Sequence, residues 1–556
     1  MTNDPPPDAH HDQPVTHRER WLVAGILVLG AVLRLMMPGS FHVEHYDEGV
    51  YASNRWFTPE EGARFPDRHL YAPPLWPAVM EMSQLALGTS ALGVMLPGVL
   101  CGVITIWLIW RLVREWVGAE VAIVIAGLLA VNGYHIMFSR TALTDVPVTM
   151  LIVWGITAGW RAISTERIGM AIWAGILTGL AWSTKYNGWY PLAVTGAGLL
   201  AANLFHVKQT GVAWSRWRCW LVMLITAALV WLPAWIDLQD KGGYAAVAQN
   251  HAGYLEGWSF WLSNFRRQFE HLRWWDLLSV SVLCLALALF GLGGRLLELI
   301  QSAMKQETLT PEILSGWMAL AWVSSLLLVT PLYHPYPRLA LPLFLSLIVG
   351  AAFGIQRLRN KRQHVVTHDK RVVSRETTPI MRVVGVGICF AACIFLLGAP
   401  SGAGKGTLPW QGRLSAEEVA AQIVERCANE SPEKQDSPLA YVIYVYSEPA
   451  IYYHLCRLAP ENVLISPVAN LGFLSQPPAR KPVAIYLVTG PHAESNESYQ
   501  EQWKKSEGQL QPIQTFNVEC SDLLSLNSHA PSELSESNSE FPTIQFHLSV
   551  VRSSVP

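Results

Sequence analysis

The stretch Ala91-Leu92-Gly93-Val94-Met95-Leu96-Pro97-Gly98-Val99-Leu100-Cys101-Gly102-Val103-Ile104-Thr105-Ile106-Trp107-Leu108-Ile109-Trp110-Arg111-Leu112 decides the fold class. It carries no charge before Arg111, and crossing a hydrocarbon layer takes roughly 20 such residues in an α-helix. Comparable runs flank it. Trp21–Met37 precedes it, and Ala119–Phe138, Val146–Trp160, Ile168–Trp182, Trp189–Phe205, Trp220–Trp235, Leu277–Leu292, Ile313–Leu332, Leu339–Ile355 and Val383–Leu397 follow. The pattern predicts a polytopic α-helical membrane protein with about eleven transmembrane helices. Composition agrees. Of 556 residues, 51% are apolar and 15% charged, where a soluble chain carries about a quarter charged. The mean hydropathy is +0.24. Many of the 24 tryptophans, such as Trp21, Trp116, Trp189 and Trp235, stand at the ends of apolar runs, as interfacial rings do. A net charge of -2 excludes the basic face of a nucleic-acid binder.

The loops between runs alternate in charge. One side receives Arg18 and Arg20, Arg111 and Arg114, Arg161 and Arg167, Lys208 with Arg216 and Arg218, Arg295 with Lys305, and the dense series from Arg357 to Arg371. The excess of Lys and Arg places that side in the cytoplasm, with the N-terminus inside and the C-terminus outside. Residues 1–20, with Pro5-Pro6-Pro7, read as a disordered cytoplasmic start, and the first run as a retained anchor. Residues 21–399 form the membrane domain, with long outer loops over 41–87 and 237–275. Residues 400–556 read as a soluble extracytoplasmic α/β domain. There Ser415–Cys427 is an amphipathic helix with Ser415 as N-cap. Leu439–Tyr446 and Val483–Val488 are buried strands, and the Ser/Glu-rich Ser525–Glu540 is a flexible excursion. The eight cysteines show no metal-type spacing; Cys427, Cys456 and Cys520 allow one disulfide at most.

Charged residues gather on the outer turns. Glu44-His45-Tyr46-Asp47-Glu48-Gly49-Val50-Tyr51 follows the first span directly. An amphipathic stretch, Gly49–Phe57, and Tyr71-Ala72-Pro73-Pro74-Leu75-Trp76-Pro77 come next, as in a loop folded back on the membrane. Asp47 then lies near a helix start, where a carboxylate caps the helix or acts as a base facing a membrane-level cavity; the residues alone leave both open. Ser139-Arg140-Thr141-Ala142-Leu143-Thr144-Asp145 closes another outer turn. It is read either as an Arg–Asp pair tying two helix ends or as an anion-binding Arg beside a second acid. Lys185, in Lys185-Tyr186-Asn187-Gly188, either snorkels to the interface or faces the acids. Tyr333-His334-Pro335-Tyr336-Pro337-Arg338 is a rigid turn delivering one cation. His251, His271, Arg266, Arg267 and Arg273 on the second long loop form too loose a pattern to assign. Acids and cations from separate turns on one membrane face suit an anionic, lipid-linked substrate, because bilayer-level charges tend to be paired or functional.

At these residues the chain resembles the GT-C superfamily of polyprenyl-phosphate-sugar-dependent glycosyltransferases, in the branch of protein O-mannosyltransferases and lipid A aminoarabinose transferases. Asp47-Glu48 with Tyr51, Pro73-Pro74-Leu75, Arg140 through Asp145, and Lys185-Tyr186 carry the resemblance, with Arg338-Leu339-Ala340-Leu341-Pro342 as a weaker fifth motif. It covers roughly Trp21 to Ile355; beyond that, Tyr446-Ser447-Glu448-Pro449 is similar to a soluble domain found after some members. The resemblance implies a sugar moved from a polyprenyl-phosphate donor to an acceptor hydroxyl, with inversion, at the outer face. Asp47 is then the general base, Glu48 its support or an orienter of acceptor, and Asp145 a second active-site acid. Arg140, Lys185 and Arg338 hold the donor phosphate, and Tyr51, Tyr186 and His334 contact substrate. The implied partners are the donor, a lipid, glycan or protein acceptor, and membrane lipids, with no nucleic acid. No cofactor is certain. Some members use a divalent metal; no ligand set here is strong enough to predict one, although Glu44, His45 and Asp47 could supply ligands. His45-Tyr46 before the acids varies among members. A transporter is the main alternative class, but no repeated halves or paired broken helices are found. A non-catalytic glycan-binding relative is the other; a degenerate copy is expected to have lost Asp47 or Lys185, and both are present.

Overall fold

Thr16 starts the first helix: its hydroxyl accepts from the Glu19 N–H at 3.1 Å, and α1 runs His17–Leu35. The helix therefore takes in residues 17–20, which the polar composition assigned to a disordered start; a cap with Glu in the first turn outweighs that composition. The computed structural model describes residues 14–54, 57–58, 65–206, 210–274, 280–368, 415–430, 441–474, 484–506, 508–519 and 543–551. The expected span Val383–Leu397, the excursion at Ser525–Glu540, Lys208 and Cys520 lie outside these residues. The chain divides into two units. One comprises Met1–Met36, Val99–Ser139 and Asp145–Pro409; the other comprises Met37–Gly98, Arg140–Thr144 and Trp410–Pro556.

The first unit is helical and apolar, as a polytopic membrane protein requires. Among the described residues, six helices are long and apolar enough to cross a bilayer by length and composition. They lie in α4 (Ala91–Trp116), α7 (Asp145–Thr165), α10 (Thr210–Gln239), α13 (Val280–Met304), α14 (Pro311–Val329) and α15 (Leu341–His368). Shorter apolar helices are α8 (Ile168–Thr184) and α9 (Tyr190–Phe205). The expected single span Ala119–Phe138 is instead two helices, α5 (Ala119–Ala130) and α6 (Gly133–Ser139), bent by 62°. The break has a local cause: Asn132 Oδ1 accepts from the His135 N–H at 2.8 Å, so a cap begins a new helix inside the apolar run. Arg34 answers the other side of that break. Fully buried, it donates to the carbonyls of Ala130 (3.1 Å) and Leu129 (3.4 Å) at the end of α5, and to Ser139 Oγ at 3.2 Å. Freed helix-end carbonyls in an apolar setting need such a donor.

Burial ranks these helices. The apolar window of α7 is 89% buried, that of α10 only 28%. Ile225, Leu229 and Ile236 of α10 and Leu289 and Leu297 of α13 are exposed. In water such a face is a liability; in a bilayer it meets lipid chains. The second long loop is structured, with α11 (Gly243–His251) and α12 (Trp261–Trp274).

In the second unit, α2 (Tyr46–Ala52) and α3 (Leu75–Leu87) belong with an α/β domain. The sheet order is β2-β1-β3-β5-β4, with β1 Tyr441–Tyr446, β2 Val463–Val468, β3 Ala484–Thr489, β4 Leu510–Glu519 and β5 Thr543–Val551. β1 pairs parallel with β2 and β3, and β5 pairs antiparallel with β3 and β4. Every residue of β1 is buried, as a central strand demands. The helices are α16 (Ser415–Glu430), α17 (Pro449–Leu458), α18 (Pro491–Glu494) and α19 (Glu497–Lys505). Ser415 is the first helical residue of α16, not its cap, and its N–H goes to Glu44 Oε1 at 2.7 Å. Cys427 is buried and Cys456 exposed.

Candidate active site

In the second unit, the Asp47-Glu48 pair sits in α2, a single two-turn helix. All seven of its residues are buried, so Gly49–Ala52, the start of the stretch expected to be amphipathic, is a core element, while Phe57 at its far end is exposed. His45 is the N-cap: its Nδ1 accepts from the Asp47 N–H at 3.1 Å. Glu48 closes the box. Its Oε2 accepts from the N–H groups of His45 (2.9 Å) and Glu44 (3.1 Å). The carboxylate that caps the helix is thus Glu48, three residues past the cap, and not Asp47.

The other Glu48 oxygen accepts from the Ala142 N–H at 2.8 Å, and the Ala142 carbonyl accepts from Trp76 Nε1 at 2.8 Å. Three motifs distant in sequence, Asp47-Glu48, Pro73-Pro74-Leu75-Trp76 and Arg140–Thr144, therefore meet at one alanine. Arg140 is buried in the same unit. It donates to Ser40 Oγ at 2.7 Å and to the Met37 carbonyl at 3.3 Å, and lies 4.2 Å from the Phe41 ring centroid. The Tyr51 hydroxyl donates to the Tyr71 carbonyl at 3.3 Å, and the Tyr46 and Tyr71 hydroxyls are 3.2 Å apart. Burial, with the neighbouring Tyr71 hydroxyl and the Glu448 and Asp47 charges, holds the Tyr46 hydroxyl well above its ordinary pKa.

In the first unit, Asp145 opens α7, and its Oδ1 accepts from Lys185 Nζ at 2.6 Å. The observed partner of this acid is thus the lysine. Asp145 Oδ2 is buried and has no hydrogen-bond partner among the described residues. Lys185 is delivered by a tight turn: its carbonyl accepts from the Gly188 N–H at 2.8 Å. A Cβ on Gly188 would stand 2.0 Å from the Ala181 carbonyl oxygen, so only glycine closes this turn unchanged. Tyr186 belongs to an aromatic group. Its ring lies edge-on to Trp231 at 6.2 Å and 5.7 Å from Tyr244, while Trp182 and Trp231 stack at 5.3 Å.

His334 pairs with Glu256 at 2.6 Å, and Asn264 Nδ2 donates to the other Glu256 oxygen at 2.8 Å. Burial raises the Glu256 carboxyl, but the hydrogen bonds from His334 and Asn264 outweigh it and hold the group below its usual range. Gln268 Nε2 donates to the Thr330 carbonyl at 3.1 Å. The second long loop, unassignable from its His and Arg residues, is therefore tied to the 330–334 turn by amides one helical turn apart, Asn264 and Gln268. That i, i+4 polar pair was the available signal. Arg338 is half-buried in the 3-10 turn Pro337–Ala340 that leads into α15, and the Pro337 carbonyl accepts from the Tyr134 hydroxyl.

Among the described residues, no group of three or more His, Cys, Asp or Glu side chains is arranged to hold a metal. Glu44 is engaged by the Ser415 N–H and His45 Nδ1 by the Asp47 N–H. These contacts do not fit a ligand set made of Glu44, His45 and Asp47.

Residues 71–236 match the family model described as dolichyl-phosphate-mannose-protein mannosyltransferase. A polyprenol-phosphate-mannose–protein mannosyltransferase of Mycolicibacterium smegmatis is 28% identical over 247 residues, 38% of this chain and 47% of that protein. The Mycobacterium tuberculosis protein of the same name is 27% identical over 241 residues, 37% of this chain and 45% of that one. The chain thus spans about half the length of the curated relatives it matches. Among solved structures, ArnT from Cupriavidus metallidurans bound to undecaprenyl phosphate superposes with a TM-score of 0.51 at 15% identity, covering 97% of this chain and 99% of ArnT. The apo oligosaccharyltransferase of Archaeoglobus fulgidus gives 0.50 at 13% identity, covering 90% and 73%. The chain is therefore an integral multi-pass membrane protein with the GT-C fold and a C-terminal α/β domain, and its segment 71–236 matches the dolichyl-phosphate-mannose-protein mannosyltransferase family model.

Proposed function

We propose that this protein moves a sugar from a polyprenyl-phosphate donor to an acceptor hydroxyl at the outer membrane face, with inversion, and that Asp47 is the general base. The observation that carries the reading is the meeting of the Asp47-Glu48, Pro73–Trp76 and Arg140–Thr144 motifs at Ala142. Residues that the GT-C resemblance drew from separate turns are joined there by hydrogen bonds between the Glu48 and Trp76 side chains and the Ala142 main chain. The family match over residues 71–236 and the names of the mycobacterial relatives support the donor class. The lipid in the ArnT structure supports a polyprenyl-phosphate carrier.

In this reading Asp47 takes the proton of the acceptor hydroxyl as its oxygen forms a bond to the anomeric carbon. The bond from that carbon to the phosphate oxygen breaks on the opposite face, and the polyprenyl phosphate leaves as a stable anion. That leaving group needs no general acid. Lys185 and Arg338 stabilise its charge. Arg140, engaged with Met37, Ser40 and Phe41, holds its turn and adds a positive charge. Asp145 keeps Lys185 in place. Glu48 supports the Asp47 helix, and Tyr51, Tyr186 and His334 shape the substrate surfaces. The Lys/Arg-rich loops support a cytoplasmic N-terminus and an extracytoplasmic C-terminal domain.

The test is transfer by purified, lipid-reconstituted protein given a panel of labelled polyprenyl-phosphate sugars and crude envelope acceptor. The mannose donor heads the panel because of the relatives' names. The expected result is label in acceptor with the wild type and none with Asp47→Asn. Bound donor with no transfer from any sugar would favour a binding or transport role.

A further inference from the structure

The role of the C-terminal domain is open in the sequence, and its contacts with α2 bear on it. Gly49, two residues after Asp47, faces the start of α17: a Cβ there would stand 2.3 Å from Ala450 N and 2.3 Å from the Pro449 carbonyl carbon. The two backbones touch with no room for a side chain. Before α2, His454 Nε2 is 2.8 Å from the Val43 carbonyl, and Glu44 Oε1 accepts from the Ser415 N–H at 2.7 Å. Tyr46, adjacent to Asp47, meets the His492 ring edge-on at 5.1 Å.

His492 is fixed in turn. Glu448 Oε1 accepts from its main-chain N–H at 2.8 Å, and Glu448 Oε2 lies 2.7 Å from its Nδ1. Both side chains are 3% exposed. Ser447, just before, holds φ at 53°, a left-handed conformation that costs a non-glycine residue free energy and persists only where its surroundings impose it. A buried acid–imidazole pair, on a strained turn, behind the residue next to the proposed base, is more than a sheet domain needs for its own folding.

We propose that the C-terminal domain is the mount of the Asp47 helix, and that Glu448, acting through His492 and Tyr46, is a positioning residue for the base. This rests on the reading of Asp47 as the base. An acceptor-binding domain is the competing role, and the two differ in kinetics. A loosened base lowers kcat and leaves KM unchanged, whereas a lost acceptor contact raises acceptor KM.

The experiment compares Glu448→Ala and Glu448→Gln in the full-length, lipid-reconstituted protein, with Asp47→Asn alongside. The readouts are kcat, KM for donor and acceptor, and amide hydrogen exchange over residues 46–52. Glutamine can keep both contacts, accepting from the His492 N–H and donating to Nδ1 in the other tautomer. The expected result is a fall in kcat of about 10- to 100-fold for the alanine variant, with both KM values within about twofold, faster exchange over 46–52, and near-wild-type behaviour for the glutamine variant. Wild-type kcat and exchange in Glu448→Ala overturn the mount, as does a raised acceptor KM with kcat intact. If the alanine variant does not insert, the glutamine variant decides: slow exchange with full kcat supports the mount, and slow exchange with lost kcat overturns it. An active Asp47→Asn sinks the reading of the base instead, and exchange alone then judges the mount.

Discussion

The two acid-bearing elements are built in opposite ways. Around Asp47, the neighbouring Glu48 is satisfied by three main-chain N–H groups, from residues 44, 45 and 142. Around Asp145, one oxygen is held by a single cation, Lys185, and the other is buried with no hydrogen-bond partner among the described residues. Main-chain donors are fixed by the fold and cannot leave; a lysine on a flexible stem can. The difference assigns rigidity to the first element and responsiveness to the second. The proposed mechanism asks for this difference: a base must be held still, whereas a cation that meets a departing phosphate must be able to exchange its partner.

The largest effect expected from this contrast is on the rigid side. Glu48→Ala leaves three buried N–H groups without their acceptor, a loss of more than about 4 kcal/mol at roughly 1.5–3 kcal/mol for each bond to a charged group. Thermal unfolding in detergent measures it, and a wild-type transition would break the contrast. On the responsive side, Lys185→Met is expected to insert and fold but to lower transfer by about 10²–10³-fold, as removal of an anion-stabilising donor does. Unchanged donor use would make Lys185 a membrane anchor.

The docking of the C-terminal domain supplies a pH test. Burial lowers the His454 pKa from 6.5 to about 4, with its bond to the Val43 carbonyl opposing the shift. The folded state thus prefers neutral imidazole, and the unfolded chain binds the proton first. The stability from this site is complete above about pH 6.5 and falls as pH drops toward 4, by on the order of 3 kcal/mol. Burial raises the Glu417 carboxyl, but Arg457 and the two histidines outweigh that and lower it, so its contribution is lost at still lower pH. Melting temperatures measured across this range check the sign; His454→Gln is expected to flatten the upper part. The smallest effect concerns the turn under Lys185. Gly188→Ala forces a Cβ against the Ala181 carbonyl and costs about 1–3 kcal/mol, read as a lower melting temperature with weakened donor use.

The same contrast explains what was legible. Asp145 and Lys185 lie at the ends of apolar runs, where hydropathy places charges without a structure, and their pairing closes one short helical hairpin. The apolar helices were legible for the same reason, because lipid demands continuous runs. The α5–α6 break was not, since Asn132 looks like an ordinary polar residue until its side chain caps the next helix. Arg34 lies inside the run read as the span Trp21–Met37, where nothing in the sequence marks it as the donor to the carbonyls at that break. The Asp47 element was legible as a pair of adjacent acids but not as architecture. Its supports come from residues 142, 415, 449 and 492, and no local period encodes contacts of that range. Glu48 shows the limit most clearly: two adjacent acids look alike in sequence, and only the main-chain donors around Glu48 identify the helix cap.

The central claim is that Asp47 acts in the chemical step and not in holding the donor. Binding of a labelled polyprenyl-phosphate sugar to lipid-reconstituted Asp47→Asn, measured beside its turnover, tests this most directly. The expected result is donor affinity within about twofold of wild type and transfer lower by about 10²–10⁴-fold. Retained turnover, or turnover lost only in step with donor affinity, would contradict it.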